Sequence, residues 1–187
     1  METIRLTTWI DAPVERCFKL SISIDLHVAS AASTGESVVD GVTTGLIGEG
    51  QTVTFQGRRF GVGWKHTNKV EMLRPYSYFR DVMVDGYFTR YEHEHHFAPM
   101  DDGTRMRDEL RFSAPWGPFG HLAAKIVVRR YLTTFLMRRN TLIKQVAESE
   151  EWHTYLDGQP EIKQASHADG GQLTRREGML TYVGKAD

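Results

Sequence analysis

The sequence lacks the features that mark secreted, membrane-spanning and nucleic-acid-binding proteins. Its 187 residues include one cysteine, Cys17, which excludes an intrachain disulfide framework and favours a reducing compartment. No window reaches the roughly 18 uninterrupted apolar residues of a membrane span. The first residues alternate in polarity instead of forming the apolar run of a signal peptide. The net charge of −1 gives no general attraction to nucleic acid or to an anionic membrane. We therefore expect a cytoplasmic protein with no nucleic-acid partner and no stable membrane insertion.

Motifs for phosphate binding and for nucleophilic catalysis are also missing. The glycine-rich stretch 45–50 is not followed by a lysine and a helix, as a phosphate-binding loop would be. No serine or cysteine lies in a nucleophile elbow. Two arginine pairs, Arg129-Arg130 and Arg138-Arg139, lie on a predicted helix. Exposed aromatic residues do not interleave with them, so we interpret these arginines as a solvated face whose aliphatic stems pack on the protein.

The longest predicted element is a helix from about His121 to Glu151. It follows residues 115–120, which are rich in proline and glycine and which no strand would cross. Beyond that segment, apolar residues recur at steps of three, four and seven, as they do on one face of an α-helix. They are Val128, Tyr131, Phe135, Leu142 and Val146. A lone helix is only marginally stable, so this face needs a large apolar surface to pack on.

The chain before this helix supplies that surface. Residues 3–10 alternate and predict a strand. A helix follows, with Asp11 as its N-cap and Pro13 in its first turn, and then a second short helix within 25–35. A period of two with frequent turn signals predicts more strands. They lie near 36–43, 51–60, 62–73, 77–85, 88–98 and 104–113. We predict an α+β fold, with a curved seven-stranded antiparallel sheet wrapped around the long C-terminal helix and two short helices after the first strand.

The length of the chain and its hydrophobic fraction of 40% fit one domain with a substantial core. We assign residues 1–152 to this domain. The composition then turns polar, so residues 153–187 are interpreted as a polar C-terminal extension.

Particular segments of the sequence resemble a known superfamily. They are Trp9–Phe18, Phe79-Arg80-Asp81, Gly86-Tyr87-Phe88, Tyr91–Phe97, Gly103-Thr104 with Asp108, and Pro115–Gly120. Together with the order of elements, they resemble the START-like, or SRPBCC, superfamily over roughly residues 3–150. Plant pollen allergens and polyketide cyclases share its helix-grip fold, and the likeness is greatest to small bacterial ligand-binding members. Tyr91 departs from the tryptophan expected in that subgroup.

The resemblance implies a cavity between the sheet and the C-terminal helix that holds an apolar or aromatic small molecule. It does not choose between carriers, regulators, cyclases and hydrolytic or dehydrating enzymes, because a fold alone does not determine activity. We prefer binding of a lipid or polyketide-like molecule without catalysis. The alternative is a cyclase or dehydratase, which would be a lyase. No cofactor is expected, and the protein would be a monomer or a homodimer.

The strongest candidates for chemistry lie on the strand predicted near 88–98. A period of two places Tyr91, His93, His95 and Phe97 on one face, and the flanking aromatic residues indicate that this face points inwards. The two histidines are then satisfied core residues, polar contacts for a ligand, or acid–base groups, and the sequence leaves these three roles open. The catalytic candidates are His93, His95 and Asp108.

A His-x-His pair on a strand can also form half of a metal site, because both rings face the same way. Further ligands would have to come from Asp81 or Asp108, which lie at no recognisable metal-ligand spacing. We therefore predict no metal and expect the two aspartates to fix the histidine tautomers or to accept from a buried polar group.

The remaining candidates line the expected cavity from other strands and from the long helix. Trp64 and His66 share a face with Val70, and Trp64 either lines the cavity or packs at a helix–sheet contact. The complete set of candidate ligand-binding residues is Trp64, His66, Phe79, Asp81, Met83, Tyr91, His93, His95, Phe97, Asp108, Phe112, Tyr131 and Phe135.

Overall fold

The computed structural model describes residues 1–32, 35–59, 62–113, 121–160 and 162. Within these ranges the chain forms seven strands and four helices. The strands are β1 Glu2–Ile10, β2 Ser37–Gly41, β3 Thr52–Arg59, β4 Val62–Arg74, β5 Tyr78–Asp85, β6 Arg90–Met100 and β7 Gly103–Ser113. The helices are α1 Val14–Ser21, α2 Ile24–Ser30, α3 His121–Ala147 and α4 Trp152–Leu156.

The strands form one antiparallel sheet in the order β1-β7-β6-β5-β4-β3-β2. Strands β2 to β7 follow one another as a meander, because each of them pairs with the next strand along the chain. Strand β1 pairs with β7, so that Glu2 lies opposite Phe112 and Ile10 opposite Thr104. The predicted fold is confirmed: a curved seven-stranded antiparallel sheet, short helices after the first strand and a long C-terminal helix.

The turn between β6 and β7 needs a glycine at position 103. Only Asp101 and Asp102 separate the two strands, and Gly103 has a φ of 155°. A Cβ atom there would lie 2.2 Å from the carbonyl oxygen of Ile10, at the end of the neighbouring strand. Any larger residue would therefore push β1 away from β7.

The predicted cap of the first helix was wrong. Helix α1 begins at Val14 with Pro13 as its N-cap, and no side chain caps it. The backbone N–H of Asp11 instead donates to Oε1 of Glu148 at 2.8 Å, which ties the end of β1 to the region after α3. A side-chain cap does occur at α2, where Ser23 Oγ accepts from the backbone N–H of Leu26 at 3.3 Å.

Helix α3 ends at Ala147 and not at Glu151. The Ser149 hydroxyl donates to the carbonyl of Val146 and accepts from the backbone N–H of Glu151. These local side-chain bonds replace the helical pattern and turn the chain. It continues into α4, where the ring of Trp152 lies under the guanidinium of Arg16 at 4.4 Å.

The buried face of α3 is rotated from the predicted one. Its buried residues are Leu132, Leu136, Arg139, Asn140, Ile143, Val146 and Ala147. Of the predicted stripe only Val146 is buried, and its other members are half-buried. The interpretation of Arg139 as part of a solvated face was also wrong. Its side chain is buried, and the hydrogen bond that Nη2 donates to the carbonyl of Ser21 at 2.7 Å compensates for the lost contact with water.

The core consists of two clusters of apolar side chains. The larger one surrounds Phe18 of α1, whose ring packs edge-on against Tyr76, Phe79 and Phe97 at centroid distances of 5.2–5.8 Å. The smaller one lies between β1, β7 and α3 and comprises Ile4, Leu110, Phe112, Leu132 and Leu136. The candidate functional site is a group of polar side chains, and it lies between these two apolar regions.

Some predictions lie outside the described residues, among them the proline- and glycine-rich segment 115–120 and most of the extension, residues 163–187. The domain boundary expected after residue 152 stays a prediction. It falls inside α4, whose Trp152, Tyr155 and Leu156 pack against the larger core cluster. None of the described helices is both long enough and apolar enough to cross a bilayer.

Candidate functional site

A small cavity lies where α3 and the turn between α1 and α2 face the sheet. Its volume is about 70 Å³. Its apolar wall comprises Ile22, Ile24, Ile47, Val53, Phe55, Val70, Phe79, Phe135 and Leu136, with Tyr91 alongside. Its polar wall comprises Ser21, Ser23, His27, Asn68, Asp81, His93, His95 and Arg139. The cavity is therefore lined mostly by apolar side chains, and Asp81, His93 and His95 form one group of adjacent polar side chains in its wall.

Strand register brings the polar side chains together. Asp81 of β5 lies opposite His93 of β6, and His95 of β6 lies opposite Asp108 of β7. Residues 93 and 95 share a face because strand side chains alternate, and the burial of β6 follows this alternation. Two aspartates thus flank two histidines on the inner face of the sheet.

Both histidine rings contact both aspartates. The Nε2 atom of His93 lies 3.1 Å from Oδ1 of Asp108, and its Nδ1 atom lies 4.0 Å from Oδ2 of Asp81. The Nε2 atom of His95 lies 3.2 Å from Oδ2 of Asp81. Its Nδ1 atom is 2.8 Å from Oδ1 of Asp108, but the N–H direction misses the oxygen. We therefore treat this last contact as electrostatic, without the strength of a directed hydrogen bond.

The cluster favours ionised aspartates and a neutral His93. Burial alone raises the pKa of Asp108, but the hydrogen bond from His93 and the close approach of His95 outweigh it and hold the pKa well below its usual range. The pKa of Asp81 is lowered in the same way, chiefly by its hydrogen bond to His95 acting against burial. Burial lowers the pKa of His93, and the neighbouring His95 lowers it further against the attraction of Asp108.

Amide and guanidinium groups complete the surroundings of the aspartates. Asn140 of α3 donates to Oδ2 of Asp108 at 2.7 Å, and Asn68 of β4 donates to Oδ1 of Asp81 at 3.1 Å. The Nη1 atom of Arg139 lies 3.9 Å from Oδ1 of Asp108. Sequence analysis missed Asn68 and Asn140 and placed Arg139 outside. One feature of the sequence could have indicated their roles: Arg139 and Asn140 interrupt the apolar stripe of the predicted helix.

His27 of α2 is a second missed residue of the cavity wall. Its ring packs on Phe55 at a centroid distance of 4.4 Å and faces Phe135 at 6.1 Å. Burial lowers the pKa of His27 to about 3, helped by the charge of Arg139. A short helix carries no period-two signal, so no pattern in the sequence indicated that this ring points into the cavity.

The structure places the predicted site residues in several different locations. Those lining the cavity are Phe79, Asp81, Tyr91, His93, His95 and Phe135. Asp108 lies directly behind the two histidines, whereas Phe97 and Phe112 are core residues and Tyr131 packs against the smaller cluster. Trp64 lines a separate surface groove with Gly57 and Lys65, and its ring stacks on His66 at 4.5 Å. Met83 is half-buried on β5 near Gly86.

The fold recurs in several solved structures, although no family model and no curated protein matches the sequence. TTHA0849 from Thermus thermophilus has a similar structure, with 21% identity, a TM-score of 0.58, and coverage of 79% of this chain and 100% of that one. Ara h 8.0201 is similar at 11% identity and a TM-score of 0.56, covering 78% and 97%. The di-domain ARO/CYC StfQ from the steffimycin biosynthetic pathway is similar at 14% identity and a TM-score of 0.60, covering 80% and 51%.

The chain has a helix-grip fold like that of these solved structures. Identities of this size establish the architecture and leave the activity open. In this helix-grip protein the inner face of the sheet carries the Asp–His cluster, while α3 supplies Phe135, Leu136 and Arg139 to the same cavity. The cavity thus lies between the sheet and the gripped helix, where the residues can act on a common ligand.

Proposed function

We propose that this helix-grip protein binds a hydrophobic or aromatic small molecule that carries a polar group, and that it does so without catalysis. The observation that carries the proposal is the asymmetry of the cavity wall. Apolar side chains such as Phe55, Phe79 and Leu136 form most of it, whereas His93 and His95 lie together beside Asp81. Such a wall gives affinity through apolar burial and orientation through a few polar contacts.

The occupant has to enlarge the cavity. A volume of about 70 Å³ is well below the roughly 300–1,000 Å³ of drug-sized sites, and below the roughly 150 Å³ of an engineered cavity that binds benzene. Among the large side chains of the apolar wall, those of Tyr91 and Phe135 are half-buried, whereas the others are buried. They have the least packing to lose, so we expect them to move when a ring enters.

The test uses 2-naphthol, a bicyclic aromatic molecule with one hydroxyl group, titrated into the full chain by calorimetry with EDTA present. We expect a Kd of about 100 μM, which corresponds to about 0.5 kcal/mol per non-hydrogen atom. Val53→Phe fills the cavity wall and should weaken binding at least about tenfold. Val39→Phe adds the same ring at an exposed position and should leave binding unchanged. Absence of binding to the wild type, or equal binding to Val53→Phe, would overturn the proposal.

A second candidate function is that of a cyclase or dehydratase-type lyase. It is favoured by the contact of His93 with Asp108 and of His95 with Asp81, because a histidine held by a carboxylate is a usable acid–base group. StfQ, an ARO/CYC, matches this chain over about half of its own length, 51%. In this function His93 or His95 would move a proton while the cavity folds the substrate. Native mass spectrometry of freshly purified protein tests this candidate function, because a co-purified molecule would identify the class of compound that the cavity holds.

A further inference from the structure

Three side chains of the types that bind metal ions lie close together in the cavity wall. Asp81, His93 and His95 each offer one donor atom, and these atoms lie within 4.8 Å of one another. Both histidines are buried, and Asp81 is the most accessible of the three, with 16% of its side chain exposed. Two imidazole nitrogens and one carboxylate oxygen are a common ligand set for zinc and for other divalent transition metals.

Asp108 sets which nitrogens face Asp81. It lies behind both rings, 3.1 Å from Nε2 of His93 and 2.8 Å from Nδ1 of His95. When Nε2 of His93 donates to Asp108, Nδ1 of His93 is left as a lone pair. Nε2 of His95 is hydrogen-bonded to Oδ2 of Asp81, and a metal ion would take the place of the proton between these two atoms. The two nitrogens, Nδ1 of His93 and Nε2 of His95, lie 4.0 and 3.2 Å from Oδ2 of Asp81. Carboxylates behind metal-binding histidines act in this way in other proteins.

Three donor atoms that lie together in a largely buried place favour a cation between them. The cluster holds two carboxylates, those of Asp81 and Asp108, and Arg139 is the nearest guanidinium, 3.9 Å from Asp108. With neutral imidazoles the group therefore keeps an excess negative charge, which is costly in a buried environment. One added proton or one metal ion would remove that cost, and the two possibilities can be separated by experiment.

We propose that Asp81, His93 and His95 form a binding site for a divalent first-row transition-metal ion, with Zn²⁺ as the reference ion and Asp108 as a positioning residue. The donors of a tetrahedral zinc site lie about 3.3 Å apart, which follows from zinc–ligand distances of about 2.0–2.1 Å. The spacing of 3.2 Å between His95 and Asp81 already meets this value. The spacing of 4.0 Å between His93 and Asp81 would have to shorten by about 0.7 Å on metal binding.

Such a site keeps a coordination position for a ligand. Three protein ligands leave a fourth position open, as in catalytic rather than structural zinc sites. All three residues line the cavity, so this position faces the place where a small molecule would lie. A carbonyl, hydroxyl or carboxylate oxygen would coordinate there. The metal site does not rest on the proposed function, because it stands on side chains that are together whether or not the cavity holds an organic ligand.

The experiment measures Zn²⁺ and Co²⁺ binding to the untagged full chain after dialysis against EDTA. We expect one Zn²⁺ per chain by calorimetry, and Co²⁺ should give the visible absorption of a tetrahedral site. Asp81→Asn keeps the shape of a ligand and removes its charge, and it should weaken Zn²⁺ binding by more than about a hundredfold. Asp108→Asn removes the carboxylate that orients the two histidine rings, and it should weaken Zn²⁺ binding by about 10–100-fold.

The matched control is His153→Gln on α4. His153 lies beside Asp157 and Glu150 on the surface, where a loose ion could also bind, and the change should leave the affinity of the buried site unaltered. The Co²⁺ spectrum of the wild type decides the question even if a variant fails to fold. A wild type without one equivalent of Zn²⁺, or Zn²⁺ binding that Asp81→Asn leaves intact and His153→Gln removes, would overturn the proposal and leave a proton as the cation of the cluster.

Discussion

His27 is a residue whose protonation is coupled to folding. Its pKa is about 3 in the folded chain, mainly because of burial, and about 6.5 in an unfolded chain. As the pH falls below about 6.5, the unfolded state therefore binds a proton that the folded state does not. Stability is full above that pH and decreases as the pH falls towards 3. The lowered pKa values of Asp81 and Asp108 have their effect below about pH 4, so they do not obscure this range.

We expect His27→Phe to reduce the loss of stability between pH 7.5 and 5. Full burial would make the His27 contribution about 2 kcal/mol over this range. His27 is only half-buried, so we expect about 1–2 kcal/mol. Phenylalanine preserves the ring packing on Phe55. Urea denaturation at several pH values measures the change, and the exposed His153→Gln serves as control. Equal pH slopes for wild type and His27→Phe would show that this ring does not control acid stability.

His93 offers a prediction about ligand selectivity. If its ring forms a polar contact with a hydroxyl group in the cavity, His93→Phe should weaken binding of 2-naphthol by about 3–10-fold, the value of one hydrogen bond. Binding of naphthalene, which has no hydroxyl group, should change little. Calorimetry with EDTA present compares the two ligands. Equal losses for both ligands would indicate that His93 only shapes the wall.

At the scale of residues, the sequence predicted the inward face of β6 but not the neighbours of the histidines. Alternation alone determines which side chains share a face, so Tyr91, His93, His95 and Phe97 were assigned correctly to one face. The contacts of His93 with Asp108 and of His95 with Asp81 depend on strand register across two hairpins. Register is a property of pairing, and a single sequence constrains it weakly.

Among the elements, helix α3 allows the clearest test of side-chain packing by mutation. Leu136 is almost completely buried between β1, β7 and α3, whereas Phe135 is half-buried beside the cavity. Leu136→Ala should lower the free energy of unfolding by about 2–5 kcal/mol, as expected for a large-to-small core change. Phe135→Ala should lower it by about half of that or less, because its ring has fewer packed neighbours. Urea unfolding of both variants compares them, and a larger loss for Phe135→Ala would show that the predicted helix face was the correct one.

Helix periodicity predicted that α3 exists and where it begins, but not the rotation of its buried face. The predicted stripe followed apolar residues and passed over Arg139 and Asn140, because charged and amide side chains usually face solvent. Both are buried here because Ser21 and Asp108 satisfy them. Tertiary hydrogen bonds can thus rotate a helix away from the face that hydrophobicity alone selects.

At the scale of the whole molecule, truncation within or after α4 tests where the folded domain ends. A chain that ends at residue 152, the predicted domain boundary, loses Tyr155 and Leu156, which pack against the core. A chain that ends at residue 162 keeps them. Removing two half-buried apolar side chains should cost about 1–3 kcal/mol, so the shorter chain should melt several degrees lower. Equal melting temperatures in calorimetry would support the boundary at 152.

The overall architecture was predictable because its signals are redundant. Turn residues such as Asp101, Asp102 and Gly103 separate successive strands, and the long helix follows them. A meander also leaves few choices, since consecutive strands pair with their neighbours. The cavity volume was not predictable, because it depends on the side-chain packing of several strands and helices at once.

The pairing of β1 with β7 also governs when the protein can fold during synthesis. Arg5 on β1 is bonded to Glu109 on β7, 104 residues later in the chain. Strand β1 therefore leaves the ribosome before β7 and waits for this partner, for roughly 5–20 seconds at about 5–20 residues per second. The sheet can grow from β2 towards β7 in the meantime, but β1 completes it only after β7 has emerged. For that interval the nascent chain presents an unpaired strand whose Ile4 and Ile10 are buried in the finished protein, which makes it a substrate for chaperones that hold extended apolar segments.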